Sequence, residues 1–434
     1  LGQTLEIHQM SVGPADAGLI IVRDTTELGK RIRNHIPAIA YPPPNERYKL
    51  YKLAMDNDID LSGTVLNVIL IDAAEASAKY ATKIDAYLKS IGAGKDIDYY
   101  ILSHFDKDHY GGFKDLIGKY KYKLKTKAYH PDNVNTNYPK PSKTCNTSFF
   151  NKISSGKRGI AKVNDTEIDI ATINGVQVKL TCVVADCYTL GQDPSVSADS
   201  HCPYSNDYND HSLGWLLQYG SFRFYTGGDL NGLFPKNPIE TPMVDSLRKQ
   251  DNALFTKFDN TAIPKGHVCG IKINHHGSDN STNAYFLSTL SPKTAFVSCG
   301  YHQGHEHPRA GVITDLEQSP WNISDWIGTK VDNSHLVNNT LEKYYVTALL
   351  KSFTDIRKDI GKPTSKGIIG GDLVLLIDDS NISTESKFAV HYNGKISTVL
   401  EKNRGKDPNN KDVGDINFYQ CHKSAAVQPY IKNK

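Results

Sequence analysis

The chain has 434 residues, 39% of them hydrophobic and 22% charged, which is enough apolar material for a packed core and excludes global disorder. A formal net charge of +3 excludes a surface dedicated to nucleic acid throughout, but not a local basic groove. No run reaches the roughly 18 apolar residues of a membrane span, and the length suits one large domain or two to three average ones.

Leu5 to Val12 alternates loosely and reads as a strand, and Ala17 to Val22, beyond Gly13-Pro14, reads as its hairpin partner. Residues 24–64 are polar, contain Pro42-Pro43-Pro44, and read as an insertion. Val65 to Ala74 is a buried strand ending near Asp72. Glu75 to Ile91 carries Ala, Tyr, Ile and Leu at helical spacing and stops at Gly92. A short strand, Tyr99–Leu102, opens directly into Ser103-His104-Phe105-Asp106-Lys107-Asp108-His109-Tyr110-Gly111-Gly112, and a short helix fits the stretch to Gly118.

Lys119 to Lys127 alternates five lysines with other residues, the pattern of a strand with a basic face. That face is either a solvated edge that resists aggregation or a track for a phosphate backbone. Glu167 to Val184 forms a hairpin around Asn174-Gly175, and residues 186–210 are a second polar insertion. Ser212 to Tyr225 gives two strands turning at Gly220 and leading to Asp229. Cys269 to Asn274 is a strand that runs into His275-His276-Gly277-Ser278. Thr294 to Cys299 is another, followed by Gly304-His305-Glu306-His307-Pro308 and a helix over 309–318. The pattern loosens after about 320, with a β-rich region at 371–398 and polar residues at 401–415.

Two histidines and two aspartates within six residues, His104 to His109, are costly to bury unless protons or a cation balance them. A divalent cation is the simplest balance for that ligand set. Asp229, His211 and the His275-His276 pair stand at the ends of other strands, so loops at one sheet edge converge on a single site. Asp72, ending a buried strand, reads as a residue that orients a metal-bound histidine, and Asp16 reads similarly. His307 is either a satisfied loop histidine or a contact to a leaving group. The seven cysteines include no C-x-x-C pair; Cys182 and Cys187, with Cys202 nearby, are the candidates for a disulfide. Gly92-Ala93-Gly94-Lys95 lacks the spacing of a P-loop and no G-x-S-x-G occurs, which disfavours nucleotide-driven work and serine hydrolysis.

The segment from His104 to His109 resembles the H-x-H-x-D-H signature of the metallo-β-lactamase superfamily, with Asp106 in place of the second histidine. The variant H-x-D-x-D-H-x-G-G is similar to the metallo-β-lactamase domain of ComEC-type competence DNA-uptake proteins. Residues 12–22, 68–74, 209–230, 273–278 and 297–308 resemble further segments of that domain, in the same order. Ser11 and Ala15 depart from an Asp and a Gly common in the early segment, and Asp229 follows two glycines rather than one.

The resemblance implies an α/β fold: an αββα sandwich over 1–320 with insertions at about 24–64 and 186–210, and a C-terminal β-rich extension over 321–434. It implies two divalent metal ions, zinc or manganese. His104 and Asp106 would bind the first, Asp108 and His109 the second, with Asp229 bridging, His275 completing the second site and His211 a further candidate for the first. Asp108 would also act in catalysis, and His276 would serve as a proton donor or phosphate contact. The implied activity is hydrolysis of a phosphodiester by a dinuclear metal-bound hydroxide, with nucleic acid or a nucleotide as candidate substrate. The alternatives are a metallo-hydrolase of a lactone, amide or thioester, and a non-enzymatic binding protein with a vestigial site. The chain starts at Leu1 without an initiator methionine and so reads as trimmed or processed, with a secreted or periplasmic place slightly favoured.

Overall fold

The structure is a computed structural model, and it describes residues 2–37, 42, 44–192, 206–232, 239–255, 265–300, 305–323, 336–348, 366–380, 382, 385–393 and 415–421. Two large mixed sheets face each other. The first runs, edge to edge, through Asp415–Gln420, Lys387–Tyr392, Leu373–Asp378, Gln3–Gln9, Gly18–Asp24, Val65–Ile71, Asp96–Ile101, Lys123–His130 and Arg158–Ile160. The second runs through Gly367–Ile369, Lys343–Val346, Thr294–Val297, Gly270–Lys272, Phe222–Thr226, Gly214–Tyr219, Val176–Ala185 and Glu167–Ile173.

The strands are apolar on both faces because both faces are covered. In the hairpin Gln3–Gln9 and Gly18–Asp24, Leu5, Ile7, Ile20 and Val22 point inward. They meet Leu180, Leu217, Phe224 and Phe296 of the second sheet. The alternate residues Leu19 and Ile21 point outward, into a core shared with Leu28, Ile32, Tyr80, Ile84 and Leu88 of the helices Thr25–His35 and Ala78–Ser90. On the far side, the second sheet packs Ile271, Ala295 and Val297 against Met243 and Val244 of helix Glu240–Phe255 and Phe286, Leu287 and Leu290 of helix Ala284–Leu290. The result is the αββα sandwich expected from the sequence.

Several local expectations shift. Residues 24–64, read as an excursion, contain two helices, Thr25–His35 and Leu50–Asp56, whose apolar sides are core. The basic strand begins at Lys123 rather than Lys119. Lys119 caps the helix Phe113–Gly118, Lys121 has φ 63°, and buried Tyr122 is held by Asp85, so the alternation before Lys123 belongs to a turn. Lys123 and Lys125 are exposed on the strand. Cys182 is a free, buried thiol, whereas Cys187 is disulfide-bonded. Much of the second polar insertion, 193–205, lies outside the described residues, as do 301–304 and 401–414. No helix among the described residues is long and apolar enough to cross a membrane.

The loosely patterned C-terminal part supplies strands to both sheets. Leu373–Asp378 pairs antiparallel with Gln3–Gln9, and Lys343–Val346 pairs in parallel with Thr294–Val297. The chain's neighbouring parallel strands, Val65–Ile71 with Asp96–Ile101 and Phe222–Thr226 with Gly270–Lys272, all point their C-terminal ends to one edge of the sandwich. That edge carries the candidate ligands.

Candidate metal centre

The first ligand segment is a tight turn and a one-turn helix, Lys107–Tyr110, that follows strand Asp96–Ile101. Gly111 and Gly112 close it because backbone presses on both. A Cβ on Gly111 would lie 1.8 Å from the Ala76 nitrogen, and one on Gly112 would lie 2.3 Å from the Ala73 oxygen. This contact locks the His104–His109 loop against the end of the neighbouring strand. Asp72, at that strand's end, accepts hydrogen bonds from the Ser103 amide (2.8 Å), the Ser103 hydroxyl (2.7 Å) and His109 Nδ1–H (2.7 Å). With Nδ1 so engaged, His109 turns its Nε2 into the site, the arrangement in which a carboxylate orients a metal-ligating imidazole.

Asp229 is the hub. Its Oδ2 lies 3.3 Å from His109 Nε2, 3.3 Å from His276 Nε2, 3.8 Å from His104 Nε2 and 4.0 Å from His275 Nε2. Asp108 Oδ2 is 3.4 Å from His276 Nε2 and 3.8 Å from His109 Nε2, while Asp106 Oδ2 is 3.4 Å from His104 Nε2. Ligand atoms of Asp16, His109, Asp229 and His276, all buried, lie within 4.8 Å of one another.

The sequence points to His275 as the ligand, but the structure places His276, not His275, among the four tightly grouped residues. The strand stops at Lys272, and His275, His276 and Gly277 all have positive φ (49°, 52° and 79°). Strand alternation therefore does not extend to them. His276 turns inward, its Nδ1 donating to the Ser298 carbonyl (2.8 Å) and its Nε2 joining the tight group. His275 stays at the rim, with Nδ1 3.2 Å from Asn231 Oδ1. His211 meets Asp186 (3.3 Å) and packs its ring 4.8 Å from Tyr138; it is not one of the four tightly grouped residues. His307 lies over the pair, its ring 6.2 Å from that of His276 and 6.0 Å from that of His275.

Electrostatics follow from this crowding. Burial disfavours charge on His276, but Asp229, Asp16 and Asp108 outweigh it and push its pKa up to about 10. His109 is likewise raised well above the usual imidazole range, against its burial, by Asp229, Asp72 and Asp108. Asp108 and Asp229 are held below the usual carboxylate range, against their burial, by the facing imidazoles. His307 goes the other way: burial and the neighbouring histidines pull it down to about 3.

The donor set fits a cation. His104 Nε2, His109 Nε2, His276 Nε2 and Asp229 Oδ1 are buried without a hydrogen-bond partner, a costly state that a divalent ion would relieve. Imidazole and carboxylate together suit zinc or manganese.

Two partners were not singled out as a pair in the sequence. Lys272 is buried, with its ammonium 2.6 Å from Asp16 Oδ2. The available signal was a lysine flanked by Ile271 and Ile273 in an apolar strand, since such a lysine requires a counterion when buried. The second is Glu240, fully buried, which accepts from Asn274 Nδ2 and the Thr282 amide and so anchors the loop that carries the histidine pair.

No family model matches the chain. ComE operon protein 3 of Bacillus subtilis (strain 168) is 24% identical over 224 residues, which is 52% of this chain and 23% of that protein. The chain thus matches less than a quarter of that relative's length. Among solved structures, the metallo-β-lactamase fold protein YhfI from Bacillus subtilis aligns over 72% of this chain and 91% of its own, with 8% identity and a TM-score of 0.33. Human tRNase Z, short form, aligns over 68% and 93%, with 8% identity and a TM-score of 0.32.

Proposed function

We propose that this chain, which is of the metallo-β-lactamase superfamily and a distant ComEC-like homologue over half its length, is a two-metal phosphodiesterase. The observation that carries the reading is the ligand set gathered around Asp229. His104, His109 and His276 all face its Oδ2, with Asp106 beside His104 and Asp108 beside His109 and His276. Asp106 stands where a carbonyl-directed site of this type has a histidine, and the extra carboxylate makes that side harder and more anionic, suited to manganese as well as zinc. Two divalent ions at such a centre would supply a nucleophile at neutral pH and offset charge on the attacked group.

The residues divide the remaining tasks. His104, Asp106, Asp108, His109, His276 and Asp229 would hold the ions. Asp72 and the Ser298 carbonyl fix the tautomers of His109 and His276. Asp106 and Asp108, whose side chains are 40% and 29% exposed, mark the open side by which substrate arrives. Asp108 also orients the attacking water. His275 and His307, left at the rim, face the substrate and offer neutral imidazole contacts to it. The resemblance to ComEC-type domains makes nucleic acid the first substrate class to examine.

The test is elemental analysis of purified protein, followed by turnover of a chromogenic phosphodiester, a lactone and a β-lactam with added manganese or zinc. Phosphodiester cleavage alone supports the reading. Protein that carries metal and opens lactones but leaves phosphodiesters intact sinks it, and Asp108→Ala that retains full turnover removes Asp108 from the mechanism.

A further inference from the structure

Among the described residues, Lys272 is the lysine that is buried, at 5% exposure, on a strand between fully buried Ile271 and Ile273. Its ammonium reaches Asp16 Oδ2 at 2.6 Å and donates to the Gly228 carbonyl at 3.1 Å, one residue before Asp229. Asp16 belongs to the first sheet's hairpin and Lys272 to the second sheet, so the pair spans the two layers directly behind the ligands. Asp16 Oδ1 has no hydrogen-bond partner, and Asp16 is one of the four residues whose ligand atoms crowd within 4.8 Å.

Asp16 therefore has two possible counterions, a metal and Lys272. Asp16, Asp72, Asp106, Asp108 and Asp229 all lie at the centre. Lys272 offsets one of these carboxylates, and two divalent ions offset the other four. We propose that Lys272 is a positioning residue: it claims Asp16 as its own counterion, keeps it from binding the metal, and so fixes the charge that the centre offers to two ions. The inference rests on the metal-centre reading above.

The test is a set of three variants, Lys272→Met, Asp16→Asn and the double variant. The readouts are affinity for zinc or manganese, whichever wild-type protein takes up, by competition with a chromogenic chelator, and the melting temperature of metal-free protein. In Lys272→Met, Asp16 is released to the ion, and affinity rises by about tenfold or more while the metal-free fold melts lower. In Asp16→Asn, the unpaired ammonium repels the ion and affinity falls by about tenfold or more. The double variant, which loses both charges, returns close to wild-type affinity.

A double variant as weak as Asp16→Asn makes Asp16 a direct ligand and overturns the proposal. So does Lys272→Met that folds and binds as wild type does. If Lys272→Met does not fold, the comparison of Asp16→Asn with the double variant decides alone. Wild-type protein that binds neither metal overturns the metal reading itself, and this inference with it.

Discussion

At the scale of single residues, the proposed centre separates into groups that would hold an ion and groups that would aim those holders. His276 and His275 are adjacent, yet only His276 has its second nitrogen tied to a backbone carbonyl and its first in the tight group. His276→Ala should abolish tight metal binding, and activity with it. His275→Ala should keep metal within tenfold of wild type but lower kcat/KM by about tenfold, the worth of one lost substrate hydrogen bond. Chelator competition alongside turnover separates the two, and equal loss of metal in both variants would contradict the assignment. Asp72→Asn leaves the His109 Nδ1–H partner in place but uncharged, and should weaken metal binding or activity by about 10- to 100-fold; unchanged affinity and rate would make Asp72 merely structural. The sequence singled out His104, Asp106, Asp108 and His109, because two histidines and two aspartates within six positions have few other uses, and the fold brings them beside Asp229. Which histidine of the pair turns inward was not legible, because it depends on left-handed backbone at 275 and 276. The partnership of Asp16 with Lys272 was hidden for another reason: 256 positions separate them, and only sheet packing brings them together.

At the scale of elements, the loop from Asn274 to Gly277 carries the strain of the site. Three successive residues with positive φ are costly, and for His275 and His276 the cost is borne because the surroundings fix them. Gly277 cannot be exchanged freely: a Cβ there would sit 2.7 Å from Pro308 Cβ, at a φ of 79° that L side chains avoid. Gly277→Ala should therefore destabilise the protein by about 1–3 kcal/mol and, by shifting His276, weaken metal binding. Urea titration and chelator competition read the two effects, and a variant as stable as wild type would show that the loop relaxes without cost. Elements of this kind were visible in sequence as strand ends followed by His or Asp. The long apolar runs, such as Val65–Ile71, announced themselves, as did the amphipathic helix Ala78–Ser90. Sheet order did not. Pairing of Gln3–Gln9 with Leu373–Asp378 joins the two ends of the chain, and no local pattern encodes a partner more than 360 residues away.

At the scale of the whole molecule, the sandwich buries ionic groups in its outer layer as well as at its edge, and these set how it responds to acid. Glu6 on the first strand is fully buried and receives Arg23 through two nitrogens, at 2.6 and 3.0 Å, and His8 at 3.0 Å. Arg23 also donates to Thr64 Oγ1 and the Ile91 carbonyl, and His8 meets the Tyr87 hydroxyl, so the cluster ties the central hairpin to its covering helix. Burial alone would raise the carboxyl pKa, but Arg23 and His8 overcome it and bring Glu6 from 4.5 down to about 2. A depressed native pKa contributes stability that is fully present above 4.5 and is lost as pH falls from 4.5 through about 2. That difference corresponds to about 3 kcal/mol at neutral pH. Glu6→Gln removes this pH-dependent part and leaves Arg23 buried without a charge partner, a loss of about 3–5 kcal/mol. The gap between wild type and variant in urea denaturation should therefore be widest at neutral pH and narrow steadily below pH 4.5, because acid protonates Glu6 in the wild type and reproduces the variant. A gap that stays constant down to pH 3 would mean that Arg23 is satisfied by Thr64 and Ile91 alone, and that the carboxylate contributes packing rather than charge.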